Sequence, residues 1–344
     1  MKNLYRTALT CLFIILTASV TRAQDTRTPK ELIAEGIKLH DEGKYDEAIA
    51  KYDDAIKIDP DNLTAVYEKA FSLYSLRKGI EAIPLAEKLI NAGKYKFESY
   101  EMLGNIYDDA GQTEKAIEAY KKGIAVNAGY ARLRYNLGVA YLRTKRFTEA
   151  EECAIAAIRI DDKHPGSQWL YAMANFYQNK RLKTIVCTTS FLLLEPQSAR
   201  AAKAFAMLQS LLKSGVNKEG DKKINVVVPS SQSDPDYSAE EMMVSLGAAS
   251  VIDEKLSPMD GLASQLESIY KVAGELAGKK AKEDFFKNFY TEYFYKLAKS
   301  DNMPAFARYI SVSTFKDENL QWFKENGEKL KALQNWVNDT QRNF

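Results

Sequence analysis

Apolar and small residues recur along this chain in a single phase. Ala48, Ala82, Ala116 and Ala150 stand 34 residues apart; the same step links Gly36, Ala70, Gly104, Gly138 and Ala172, and returns in Leu39, Leu73, Tyr107 and Tyr141. Pro60 and Pro196 are four periods apart, so the phase runs from about residue 29 to about 196 without an insertion, enough for five copies. Within the third copy, Tyr100, Leu103, Gly104 and Tyr107 share one helical face. Ala116, Ile117 and Tyr120 form a second stripe, and Asp108 to Gln112 make the turn between them. Thr28, Pro29 and Glu31 supply an N-cap, a proline at the first helical position and a capping-box partner, so the first helix is predicted to start there.

A 34-residue period with small residues where two helices touch, aromatics at fixed offsets and a closing proline resembles the tetratricopeptide repeat, a pair of antiparallel helices. The resemblance implies an all-α, right-handed helical-repeat solenoid over residues 29–214, with Ser198 to Leu212 as a capping helix whose Ala201, Phe205, Leu208 and Leu212 face the last repeat. Copies one, three and four follow the family pattern. The second departs from it with Ala86, Leu89 and Lys94 where a tyrosine, an alanine and a proline are usual, and the fifth with Thr184, Thr188 and Phe191.

Past this region the period is lost. Gly215, Gly220, Pro229, Pro235 and a serine cluster place a linker at residues 215–237, in which Val226 to Val228 is a lone strand candidate. A separate, smaller helical C-terminal domain is expected over 238–344: helices from Ser238 to about Asp253, from Pro258 through Ala273, from about Ala281 to Lys299, from about Pro304 to Val312, and from about Asp317 to Asn338. The third carries seven aromatics between Phe285 and Tyr295. All but Tyr295 fall on one half of the helix, which reads as a core face; a partner-binding surface is the other reading.

In the tetratricopeptide family the first helices of successive repeats line a concave groove. The resemblance therefore implies a partner-binding groove containing Tyr67, Phe71, Tyr74, Glu101, Asn105, Asp108, Tyr135, Trp169, Met173 and Phe176, with His40, Asp109 and Tyr177 beside them. Its ends are apolar and aromatic, and its centre, from Glu101 to Asp109, is acidic, suiting a peptide segment with apolar anchors and a basic middle. Some members clamp a partner's C-terminal carboxylate with Lys and Asn four apart in one repeat and Lys and Arg in another. Here those places hold Ile33 with Ile37 and Glu98 with Met102, which argues against that clamp.

The first 23 residues read as a secretory signal peptide: a basic start at Lys2 and Arg6, a 14-residue apolar core from Thr7 to Val20, and Ala23 before the break. That core falls short of the roughly 20 residues that span a bilayer, so the mature chain is expected to be exported, periplasmic or secreted, without an integral membrane segment. Loss of Lys2, Arg6 and Arg22 takes 48 basic and 46 acidic residues to 45 against 46, a balance that excludes an electrostatic nucleic-acid binder. Two histidines and three cysteines leave no metal-ligand spacing. Cys153 and Cys187, one repeat apart on helices packed about 8–10 Å apart, are expected as free thiols. The glycines of 215–220 have the spacing of a phosphate loop, but Asp221 stands where its lysine belongs. No catalytic motif and no cofactor site is expected. The function read from the sequence is a non-catalytic protein-protein interaction scaffold. The alternatives are an enzyme with its site in the C-terminal helices, marked by converging carboxylates and a shifted pKa, and a glycan- or nutrient-binding envelope protein, marked by open aromatic platforms.

Overall fold

The computed structural model describes residues 27–214, 216–219, 223–226, 234, 237–250, 256–277 and 284–344. The signal-peptide reading of residues 1–23, Val227 and Val228 of the strand candidate, and most of the glycine-spaced loop lie outside the described residues. Five helix pairs occupy the predicted repeats: α1 (Pro29–Asp41) with α2 (Tyr45–Ile58), α3 (Leu63–Ser75) with α4 (Gly79–Asn91), α5 (Lys96–Asp109) with α6 (Thr113–Val126), α7 (Ala131–Arg143) with α8 (Phe147–Ile160), and α9 (Pro165–Tyr177) with α10 (Arg181–Leu194). Thr28 forms the full capping box with Glu31. The periodic small residues are buried because neighbouring groups press on them. A methyl group on Gly36 would meet the Tyr52 ring at 2.4 Å, and one on Gly138 would meet Leu170 at 2.5 Å.

The turn inside each pair keeps the same period by a different means. Gly43, Arg77, Gly111, Lys145 and Asn179, again 34 residues apart, all hold left-handed backbone. Each turn closes with the same two hydrogen bonds, as in Gly43 N–H to His40 O and Lys44 N–H to Leu39 O. This arrangement satisfies the last carbonyls of the preceding helix, and glycine serves it best. Three of the five copies accept it with a side chain, at about 1 kcal/mol each.

The chain divides into two compact units, residues up to Ile106 and residues from Tyr107 onward, with the division inside α5. In the first unit, Leu32, Ala48, Tyr52, Ala55 and Ala65 form one buried cluster and Ala70, Leu73, Ala82, Met102 and Ile106 another. The second unit holds the remaining repeat helices, α11 (Ala199–Lys213), a hairpin of β1 (Val216–Glu219) antiparallel to β2 (Lys223–Val226), then α12 (Ser238–Ser250) and α13 (Pro258–Ala277). A π-helical turn (Phe286–Thr291) leads into α14 (Glu292–Ala298), followed by α15 (Met303–Ile310), α16 (Lys316–Glu325) and α17 (Gly327–Asp339).

This corrects the expected separate C-terminal domain. Residues 215–237 do not separate two cores: Ala154, Tyr171, Val186, Phe191, Phe205 and Leu208 of the repeat region and Tyr237, Leu266, Tyr270, Phe289, Tyr290, Phe294, Phe306 and Leu333 after it belong to one buried cluster. Tyr171 stacks on Tyr290 at 5.5 Å and meets Phe285 edge-on, and Tyr270 donates to the Thr189 hydroxyl at 2.8 Å. The physical reason lies in α10, which is buried on nearly every side. It carries an apolar face toward its own repeat and a second face of small polar residues that the later helices cover. Helix α11, expected as a terminal cap, is likewise covered: Phe205 meets Phe315, and Gln265 donates to Leu212 O at 3.0 Å.

The aromatic stripe is a core face. Phe286, Phe289, Tyr290, Tyr293 and Phe294 are all buried, and Tyr295 is the partly exposed member. The stripe carries a single π-helical turn, Phe286–Thr291, set into an otherwise α-helical segment. Gly274 makes room for it, since a methyl group there would meet the Tyr295 ring at 2.2 Å. The last predicted helix is two, because Asn326 leaves helical geometry (φ −124°, ψ 44°) just before Gly327. Cys187 is buried and Cys153 half-buried, both as free thiols, and burial pushes the Cys153 thiol up to about 12.

Candidate functional site

In the first unit, residues predicted for the groove gather into a row of rings. Tyr67 and Phe71, one turn apart on α3, lie parallel with centroids 6.4 Å apart. Beyond Phe71, His40 of α1 stacks at 4.9 Å, and Tyr45 at the start of α2 meets His40 edge-on at 5.0 Å. On the other side of Tyr67, Tyr95 stacks at 4.5 Å. His40 is held by a 2.7 Å contact between its Nδ1 and the Ser72 hydroxyl, and burial lowers its pKa, so it stacks as a neutral ring. Phe71 is 40% exposed, and Ile37 of α1 is exposed as well. Tyr74 is half-buried against the second cluster.

Tyr45 and Tyr95 were not among the expected site residues. The signal for Tyr95 was the missing proline at Lys94: the turn there carries left-handed backbone at Gly93 and Tyr95, which sets the Tyr95 ring against Tyr67.

The expected acidic centre is corrected. Glu101 is only 6% exposed, on the buried side of α5, and Asn105 is half-buried. Asp108, in the second unit, is ion-paired with Arg143 of α7. A paired carboxylate and a buried one leave the exposed Asp109 as what remains of the expected negative centre, so the ground for a basic middle in the partner is much reduced.

Among the second unit's expected residues, Tyr135 meets His164 edge-on at 5.1 Å over Gly166, where a methyl group would touch both rings. His164 itself caps α9, its Nδ1 accepting from Ser167 N–H at 3.2 Å. Trp169 packs on Phe191 at 5.1 Å and flanks the core, and Met173 is half-buried. Phe176 remains 37% exposed beside Tyr177, which stacks on Phe147 at 5.0 Å. Exposed aromatic surface is therefore found at Phe71, beside the half-buried Tyr67, in one unit and at Phe176 and Tyr177 in the other.

Carboxylates do converge in the second unit. Glu241 of α12 accepts from Leu182 N–H at 2.7 Å, at the start of α10, a helix whose own N-cap, Lys180, makes no side-chain cap. Asp234 pairs with Lys183 at 3.1 Å. Arg181 reaches Ser245 Oγ at 2.7 Å and the carbonyls of Leu211 and Ser214. Burial pushes the Glu241 carboxyl up to about 7. Each described bond of this cluster ties one helix or turn to another. No group of three or more His, Cys, Asp or Glu among the described residues is placed to hold a metal ion.

Comparison with known proteins agrees with the repeat geometry. A family described as TPR repeat matches residues 36–76, and one described as Tetratricopeptide repeat matches residues 101–167. The chain is a tetratricopeptide-repeat protein across those segments. It is 29% identical over 97 residues to Tetratricopeptide repeat protein 33 of Homo sapiens, covering 28% of this chain and 37% of that protein. It is 31% identical over 109 residues to Small glutamine-rich tetratricopeptide repeat-containing protein 2 of Saccharomyces cerevisiae, covering 32% of each. The chain spans about a third of the length of these two relatives. Among solved structures, that of MamA protein matches 50% of this chain and 94% of its own with 23% identity and a TM-score of 0.44.

Proposed function

We propose that this chain is an exported, non-catalytic interaction scaffold that holds a peptide segment of a partner protein on the aromatic surface of its repeat helices. The observation that carries the reading is the row of rings from Tyr95 through Tyr67, Phe71 and His40 to Tyr45, with Phe71 and Ile37 open to water. Exposed apolar surface of this kind marks interaction sites. The stacking also favours the peptide reading over the glycan reading. A sugar docks flat on an open ring face, whereas here one face of Phe71 is taken by His40 and one face of Tyr67 by Tyr95. Ring edges carry the positive end of the aromatic quadrupole and suit backbone carbonyls of a peptide. Against the enzyme reading, the converging carboxylates of the second unit have a structural occupation at the start of α10.

Two results are expected. In a selection of random peptides on the wild-type chain, the enriched sequences carry aromatic or branched aliphatic anchors, and Tyr67→Ala with Phe71→Ala weakens them by roughly tenfold to thirtyfold, about 1 kcal/mol per half-buried ring. The loss holds at high salt, since no exposed charge pair is involved. Unchanged affinity in a double variant that melts like wild type would sink the reading. Trp169→Ala is unsuitable for this test, because it also opens the contact with Phe191.

Export is supported by the basic start, the apolar core and Ala23. Intact-mass measurement of the exported protein should give a chain beginning at Gln24; a chain retaining residues 1–23 overturns it.

A further inference from the structure

Residues 340–344 extend beyond α17 without regular structure, yet they reach back to the repeats. The Arg342 guanidinium lies 4.2 Å from the Tyr293 ring centre, 4.9 Å from Phe289, 5.5 Å from Phe294 and 5.6 Å from Tyr290. Its Nη1 donates to Ser190 Oγ at 2.8 Å. Two residues on, Phe344 stacks on Phe289 at 5.1 Å while remaining 51% exposed, and Arg159 lies over its ring.

We infer that this aromatic cage is a binding site for an arginine-bearing segment of the Arg-x-aromatic type from a partner protein, closed in this chain by its own Arg342 and Phe344. The cage is distinct from the ring row of the first unit. Three observations support it. The first is the direction of the hydrogen bonds: Ser190 spends its proton on Gln168 Oε1 at 3.2 Å, and Tyr290 donates to the same oxygen. Gln168 in turn donates to Asp162 O at 3.0 Å. With its proton committed, Ser190 offers the cage a lone pair only, so the site takes a donor. Four ring systems around that acceptor add the preference for a cation, and a planar guanidinium meets both needs where an ammonium meets them less well.

The second observation is that the host is built without the guest. Tyr290 is fixed by its bond to Gln168 and its stack on Tyr171, Ser190 by its bond to Gln168, and Gln168 by its bond to Asp162 O, all contacts that leave the tail out. A site preorganised in this way does not spend binding energy on ordering itself. The third is that the guest is held through its side chains. Its described hydrogen bonds beyond Thr340 run through side chains, Arg342 to Ser190 and Asn343 Nδ2 to Glu292 at 3.4 Å, rather than through a backbone ladder. The tail is therefore a tethered ligand, with an effective concentration in the millimolar range against any rival segment.

The test uses the full chain and a synthetic peptide of residues 339–344. Binding is measured by calorimetry to wild type and to the emptied variant Arg342→Ala with Phe344→Ala. The emptied variant is expected to bind the peptide at least tenfold more tightly than wild type, whose cage is already filled. A peptide with Arg342→Ala should lose at least tenfold on the emptied variant, and one with Arg342→Lys should lose severalfold. Equal binding by wild type and the emptied variant, or equal binding of the arginine and alanine peptides, overturns the inference. If the emptied variant does not fold, Arg342→Lys is the second measure. Loss of the native melting transition there too makes the arginine a core strut and overturns the inference as well.

Discussion

A chain cut after Ser214 is expected to lose the cooperative melt of the second unit and to aggregate or bind hydrophobic dyes. The repeats themselves favour the opposite outcome, because a solenoid draws its stability from stacked neighbours and tolerates loss of segments outside the stack. The difference comes from α10 and α11, whose outer faces are part of the shared core. The cut removes Tyr270, Phe285, Phe289, Tyr290, Phe294, Phe306 and the rest of the later helices, and leaves Tyr171, Phe191, Phe205 and Leu208 with one side open. Each such side chain is worth about 1.5–3 kcal/mol when fully buried, so losing part of the burial of several exceeds the margin of a typical domain. The cut also strips the acceptor from Leu182 N–H and the hydroxyl partners from Thr189 and Gln168. A soluble, cooperatively melting product ending at Ser214 would restore a domain boundary at residues 215–237.

The second large effect is a pH dependence carried by Glu241. Burial is the dominant influence on its carboxyl and raises it to about 7, against the pull of the Leu182 N–H and of Arg181, which favour the charged form. Its second oxygen is buried without a hydrogen-bond partner, a costly state for a carboxylate. In the unfolded chain the same group titrates near 4.5. Between those values the folded protein holds a proton that the unfolded chain has released. The stability from that proton is full below about pH 4.5 and is lost as pH rises through 7. The drop is up to about 3 kcal/mol for one such group.

Asp234 is also raised by burial and adds a slope of the same sign, so the informative comparison is with Glu241→Gln. Glutamine keeps an oxygen for Leu182 N–H and carries no charge at any pH. Urea unfolding should find the variant close to wild type at pH 5 and more stable at pH 8. Parallel profiles for the two proteins would mean that Glu241 is ionised in the fold.

The repeats were legible because each copy is a local problem solved five times. A residue that must be small where two helices cross, or apolar on the inner stripe, leaves a mark at every period, and the Thr28 capping box needs only four consecutive residues. Even the departure at Lys94 was visible, although its consequence, the Tyr95 ring on Tyr67, depends on a left-handed backbone that residue type alone does not announce. The acidic groove centre failed for a related reason: helical periodicity places Glu101 and Asp108 on one face but does not say that Glu101 is covered or that Arg143, one repeat later, takes up Asp108.

The sequence by itself thus determined the all-helical repeat, its period, its small-residue contacts and the buried face of the Phe285–Phe294 stripe. Only the tertiary structure decided that this stripe packs on the fifth repeat, that α12 supplies the cap α10 lacks, and that Arg342 sits in an aromatic cage. The pairs concerned, Leu182 with Glu241, Gln168 with Tyr290 and Ser190 with Arg342, lie 59, 122 and 152 residues apart. Each occurs once, so no period marks it. The partners are joined by the free energy of burying polar groups in matched pairs, a quantity that exists only after the chain has brought them together.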